Sequence, residues 1–169
     1  MLIGLTTDTH TTSPGTRAQL GRLRTTELPA EILKAFEKVD LILHAGDVYT
    51  LPVIDRLAEV AKVLVSEGDD DPFETVIDNR VKGEHRLTIE GVSIWLSHYG
   101  RWDDSLPEQL PDVMVYGHTH RSAIDRWNGT LCINPGSPTF PLYQRTLGTV
   151  GFLSISDGQA EAWVEQLKR

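Results

Sequence analysis

Val113-Met114-Val115-Tyr116-Gly117-His118-Thr119-His120 is the stretch from which the rest of this chain can be read. Four apolar residues in a row indicate a short buried strand, and Gly117 marks its end. His118 and His120 then follow, one residue apart. In extended chain such a pair points to one side with about 7 Å between the residues. That is too wide for both to reach one metal ion without bending the chain. It suits ligands to two neighbouring ions, which lie about 3.5–4 Å apart in two-metal hydrolytic sites. Taken alone, the tetrapeptide Gly117–His120 fits a surface turn with two histidines equally well.

The same pattern recurs outward from this strand. Leu2-Ile3-Gly4-Leu5 is an apolar run followed by Thr6-Thr7-Asp8-Thr9-His10. Leu41-Ile42-Leu43 leads into His44-Ala45-Gly46-Asp47, and Val63-Leu64-Val65 leads into Ser66-Glu67-Gly68-Asp69-Asp70-Asp71-Pro72. Val92 to Leu96 ends at Ser97-His98. Between the early strands lie helical patterns. Pro29 opens one, with Ile32, Leu33, Phe36 and Val39 as its buried stripe. Thr50 is placed to cap another, with Pro52 in its first turn and Val53, Ile54, Leu57, Ala58 and Ala61 facing inward. Later the pattern changes to hairpins around Glu90-Gly91, Asn128-Gly129 and Asp157-Gly158. Strand–helix units imply a parallel sheet, and the hairpins add antiparallel pairs. Two packed mixed sheets with helices outside, an α/β (α+β) arrangement in one domain spanning residues 1–169, accommodate both.

Five strands thus end in loops that carry Asp8 and His10, Asp47, Asp69 with Asp70 and Asp71, His98, and His118 with His120. Ligands in α/β sheets bind beyond the carboxyl ends of strands. Glycines 46, 68 and 117 are expected to allow the turns that aim these side chains. Aspartate oxygen and histidine nitrogen without thiolate suit Mn, Fe, Zn or Co. The set is too large for one ion and indicates two.

Composition bounds the partners. The 169 residues carry 16 Lys+Arg against 24 Asp+Glu, a net charge of −8. An acidic surface argues against a nucleic-acid backbone or an anionic membrane as the main partner. Cys132, the one cysteine, rules out an internal disulfide and reads as core packing. Met1-Leu2-Ile3 enters a strand with no basic leader, and no apolar run has transmembrane length, so a cytoplasmic protein is expected. Arg17, Arg22 and Arg24 lie in a polar segment, Thr11–Thr26, expected to be a long loop beside a phosphate site.

These motifs resemble the calcineurin-like metallophosphoesterase superfamily, and its small YfcE-like phosphodiesterases most closely, relatives of the retromer subunit of the same fold. The family pattern is Asp-x-His, Gly-Asp, Gly-Asn-x-Asp, a lone His, then Gly-His-x-His. Here it reads Asp8-Thr9-His10, Gly46-Asp47, Gly68-Asp69-Asp70-Asp71, His98 and Gly117-His118-Thr119-His120, with Asn134-Pro135-Gly136-Ser137 matching as well. The resemblance implies a four-layer αββα sandwich and a metal-dependent phosphoesterase, foremost a phosphodiesterase. It places Asp8, His10, Asp47 and His120 on a first divalent ion and Asp47, Asp69, His98 and His118 on a second, with Asp47 bridging. A hydroxide between the ions would attack phosphorus. Manganese is the leading metal, with Fe, Zn, Co, Ni and Mg compatible. The substrate would be a small phosphate ester, and a homo-oligomer stays open. Three positions depart from the pattern: Asp69 replaces asparagine, Asp70 replaces a histidine that assists the leaving group, and Leu142 stands where an arginine often sits. His44 and His85 read as structural, with His44 beside the site. The alternative function is a non-catalytic scaffold or binding module with a vestigial site.

Overall fold

The first strand, β1 (Leu2–Thr6), is apolar on both faces because it is covered on both. In the computed structural model, which describes residues 1–11, 27–100, 109–144 and 146–169, it lies inside a six-stranded sheet. On one side of it β2 (Leu41–His44), β3 (Lys62–Ser66) and the two-residue β4 (Val81–Lys82) follow in turn, all parallel. The second sheet is built from β5 (Glu84–Ile89), β6 (Val92–Ser97), β7 (Val113–Val115), β8 (Ser122–Trp127) and β9 (Thr130–Pro135), in the order β5-β6-β7-β9-β8. Here β6, β7 and β9 run parallel, and β5 and β8 are antiparallel edges. The hairpin β10 (Thr149–Ser156) and β11 (Gln159–Gln166) returns to the first sheet beside β1. All three anticipated two-residue hairpins are present. Both turn residues have positive φ in each: 47° and 82° at Glu90-Gly91, 47° and 90° at Asn128-Gly129, 52° and 73° at Asp157-Gly158. That is the twist that suits two-residue turns.

The sheets pack face to face. Ile3, Leu5, Leu41 and Leu43 of one meet Ile94, Leu96, Val115 and Ile133 of the other in a single apolar layer. On the far side of the six-stranded sheet, helices α1 (Ala30–Ala35) and α2 (Leu51–Ala58) bury Ile32, Val53, Ile54 and Leu57 against Ile42, Val63 and Val65. Phe36 lies over Gly4, where an added Cβ would come within 2.7 Å of the ring. The fold is thus the expected α/β sandwich of two mixed sheets.

Several details differ from the sequence reading. Helix α1 ends at Phe36, so Val39 is buried from the turn that follows. Ala58 is exposed and Ala61 lies beyond α2. Thr50 is at the N-cap of α2 but makes no capping bond; its Oγ1 is 3.4 Å from that of Thr11. Tyr116 lies outside β7. A short helix, α3 (Phe73–Val76), and β4 were not anticipated, because elements of four and two residues are too short for a period to register. Among the described residues, no helix is long and apolar enough to cross a membrane.

Candidate metal centre

Every candidate ligand sits just past a strand end on one side of the sandwich. Asp8 and His10 follow β1, Asp47 follows β2, Asp69 follows β3, His98 follows β6, and His118 and His120 follow β7. Five of them hold left-handed backbone: Asp8 (φ 49°), His10 (42°), Asp47 (57°), His118 (68°) and His120 (57°). Such a conformation costs about 1 kcal/mol or more in a residue with a side chain. The surrounding hydrogen bonds hold it in place. Asp8 N–H donates to Gly46 O (3.0 Å), His10 N–H to Asp47 O (3.1 Å) and Gly117 N–H to His98 O (3.0 Å). Ser137 and Thr139 hydroxyls donate to the Asp8 and Thr9 carbonyls, and Asn134 Nδ2 donates to Gly117 O. The two histidines are therefore themselves left-handed, on either side of Thr119, and do not lie in extended chain as their spacing suggested.

The glycines act in two ways. Gly46 has φ of 92°, a conformation that glycine adopts without strain. Gly68 and Gly117 serve by their small size. A Cβ at 68 would fall 2.2 Å from Asp47 N, and one at 117 would fall 1.9 Å from Thr7 Oγ1.

The side chains form two groups joined by one carboxylate. In the first, Asp8 Oδ1 is 3.8 Å from His10 Nε2 and 3.5 Å from His120 Nε2, and the two Nε2 atoms are 3.0 Å apart. In the second, Asp69 Oδ1 is 2.7 Å from His98 Nε2 and 3.4 Å from His118 Nδ1. Asp47 Oδ2 lies between them, 3.4 Å from His10 Nε2 and 3.8 Å from His98 Nε2. Its Oδ1 accepts the Asp70 N–H at 3.1 Å. Within each group the donor atoms lie within 4.8 Å of one another, and a further such group joins His10, Asp47 and Asp70.

The chemistry of the set fits cations. Both Asp8 oxygens are buried without a hydrogen-bond partner, an arrangement that costs free energy unless a positive charge satisfies them. His98 Nδ1–H donates to Ala45 O (2.7 Å) and His120 Nδ1–H to Phe140 O (2.9 Å). Each bond fixes the tautomer and leaves an Nε2 lone pair aimed into the site. Burial pushes the Asp47 carboxyl up to about 6, against the pull of His98 and His10. Burial also acts to raise Asp8, but His10, His120 and His98 outweigh it and hold that carboxyl below its ordinary value.

Residues beside the site serve as supports. His44 is buried and neutral, with burial pushing its imidazole down to about 3. Its Nδ1 accepts the Gly46 N–H, so Nε2 carries the proton toward Thr9 Oγ1. His85 donates from Nε2 to Val65 O, a structural role as expected. Asp71 was not singled out by the motif reading. Its carboxylate accepts the N–H groups of Asp47 (3.1 Å), Tyr49 (2.8 Å) and Gly68 (2.9 Å). Tyr49 OH donates to Asp70 Oδ2 at 2.7 Å. Arg17, Arg22 and Arg24 lie outside the described residues.

Two mixed sheets with Asp/His loops at one end define a metallophosphoesterase-type domain. The domain model described as the calcineurin-like phosphoesterase superfamily matches residues 1–158, and the chain belongs to that superfamily of phosphoric ester hydrolases. It is 33% identical to a probable metallophosphoesterase of Methanocaldococcus jannaschii over 166 residues, covering 93% of this chain and 77% of the relative. Among solved structures it resembles an archaeal phosphodiesterase with a TM-score of 0.70 at 23% identity, over 98% of this chain and 100% of that one. It also resembles Vps29 of Entamoeba histolytica complexed with zinc, with a TM-score of 0.69 at 20% identity, over 98% of this chain and 99% of the other. These two likenesses show the fold.

Proposed function

We propose that the protein is a two-metal phosphoesterase whose principal substrates are small phosphodiesters. The carrying observation is the pair of donor groups with Asp47 Oδ2 between them. Asp8, His10, Asp47 and His120 would hold one ion and Asp47, Asp69, His98 and His118 the other, with manganese the leading metal. Two divalent ions there would clamp phosphoryl oxygens, offset their growing charge and lower the pKa of the attacking water. The protein's part is to keep the donors rigid. The Asp70 N–H fixes Asp47 by one oxygen, and the carbonyls of Ala45 and Phe140 orient His98 and His120. Arg17, Arg22 and Arg24 are assigned to the substrate phosphate, because that basic segment follows His10 and Leu142 stands where an arginine often sits. Replacing all three with alanine is expected to raise KM, and unchanged kinetics would remove them from the site.

The test is metal analysis together with turnover of bis(4-nitrophenyl) phosphate. The expected result is about two ions per chain and hydrolysis that depends on added manganese. Two bound ions without turnover of any ester in a panel would favour the scaffold reading, which the Vps29 likeness keeps in view.

A further inference from the structure

Three aromatic rings border the metal centre: Tyr49, 4.9 Å from the His10 ring, is buried, whereas Tyr99 and Phe140 are partly exposed, one beside each donor group. Tyr99 directly follows His98. Its ring lies 5.3 Å from that of His98 and 4.8 Å from that of His118. It is 53% exposed, so burial accounts for little of its presence there. Phe140 lies beside the other group, 5.7 Å from the His120 ring and 6.0 Å from the His10 ring. Two residues further on, Leu142 is 49% exposed with a left-handed φ of 50°. A left-handed backbone in a leucine costs about 1 kcal/mol or more. The centre is thus polar and charged in its middle with an aromatic ring at each end, the Tyr99 hydroxyl reaching Asp69 and leaving the ring face open.

That shape fits the geometry of a diester. A phosphodiester carries an organic group on each of two oxygens, whereas a monoester carries one. If the phosphate lies over the two donor groups, its two substituents extend toward Tyr99 and Phe140. Aromatic faces favour flat partners, which they stack against with little regard to identity. The net charge of −8 disfavours a long polyanion and leaves small molecules. We propose that Tyr99 and Phe140 are paired stacking platforms that select small phosphodiesters bearing flat, π-faced groups such as aryl rings or nucleobases. The proposal rests on the reading that the two donor groups together bind a phosphate ester.

The test compares two ligands that differ only in their substituents, diphenyl phosphate and dimethyl phosphate, by titration calorimetry on manganese-saturated protein. Diphenyl phosphate should bind about tenfold tighter or more. Tyr99→Ala should cut that preference about three- to tenfold, while Tyr99→Phe keeps it because the ring face is retained. Phe140→Leu, which keeps apolar bulk, should cut it by about threefold. The readout is a ratio, so any loss of phosphate affinity common to both ligands cancels. Equal affinities in the parent protein, or a preference unchanged by Tyr99→Ala, would overturn the proposal. A retained preference without turnover of any ester would instead count against the enzymatic reading and leave the platforms standing.

Discussion

Asp47 is a single carboxylate with a different task for each oxygen. Oδ1 is held by the Asp70 N–H, and Oδ2 faces His10 on one side and His98 on the other. Burial raises this carboxyl to about 6 in the metal-free chain. Below that pH an incoming cation must displace a proton; above it the carboxylate is ready. Burial acts to lower the His98 imidazole, but Asp8, Asp47 and Asp69 outweigh it and raise it, so His98 adds to the competition in the same direction. Affinity for manganese should therefore climb as pH rises through about 6 and level off only once His98 has also lost its proton. Calorimetry in buffers of different ionisation heats should detect more protons released per chain at pH about 5.5 than at about 7.5. In Asp47→Asn the carboxyl's share of that release should vanish with most of the affinity; an unchanged pH dependence would clear Asp47 of the role. At Asp69, the 2.7 Å approach of Oδ1 to His98 Nε2 places the carboxylate in the second group. Of the competing candidates, Asp71 is engaged with three backbone N–H groups, and Asp70 accepts from Tyr49 OH and groups with His10 and Asp47 on the other side. An extra anion tightens a hard cation but weakens it as a Lewis acid. Asp69→Asn should weaken one of two ions by about tenfold and, at saturating manganese, move the rising limb of the pH–rate profile to lower pH. If both stay fixed, Asp69 is no ligand.

Between residue and fold stands the contact of two loops, the one after β2 and the one after β3. Asp71 is its clamp. Asp47 and Tyr49 have φ of 57° and 73°, and their amides are held by the Asp71 carboxylate. An amide in place of that acceptor turns an N–H donor toward other donors. Asp71→Asn should cost about 2–4 kcal/mol in denaturant unfolding and weaken both ions together, because Asp47 serves both groups. Loss of stability with full metal affinity would mean the clamp does not set the geometry of Asp47. This is also where sequence reading reaches its limit. The strands other than β4, the three hairpin turns and the seven residues that the structure brings together were legible, since apolar runs, two-residue turn signals and the Asp/His types carry them directly. The left-handed backbone at Asp8, His10 and His118 was not, because nothing in a periodicity distinguishes it from the extended chain assumed there. Nor was the reason for Gly68 and Gly117, which is the space they leave for Asp47 and Thr7 and not their freedom in φ. Asp71 was read only as one of three adjacent acids after β3, since a motif lists residue types but not the amides that surround them.

For the whole molecule, the face-to-face packing of two sheets brings five loops from distant parts of the sequence to one end. That convergence concentrates acid. Two divalent ions would roughly balance Asp8, Asp47, Asp69 and Asp70, leaving the centre near neutral. With both ions bound, the chain's net charge of −8 falls to about −4, which sets the long-range field and is still repulsive to an anionic ester. An anion approaching such a protein gains from screening, because the Debye length shrinks from about 20 Å at low salt to below about 10 Å. Raising inert salt from about 20 mM to about 200 mM should therefore increase kcat/KM for an anionic diester by about twofold, with kcat little changed. Attraction predicts the opposite slope. A fall in kcat/KM with salt would show that positive charge dominates the approach, and Arg17, Arg22 and Arg24 are the residues close to His10 in sequence that would supply it. Repeating the salt series on the triple alanine variant separates the two cases: if those arginines steer the substrate, their removal reverses the slope, and if the acidic surface governs, it steepens the rise.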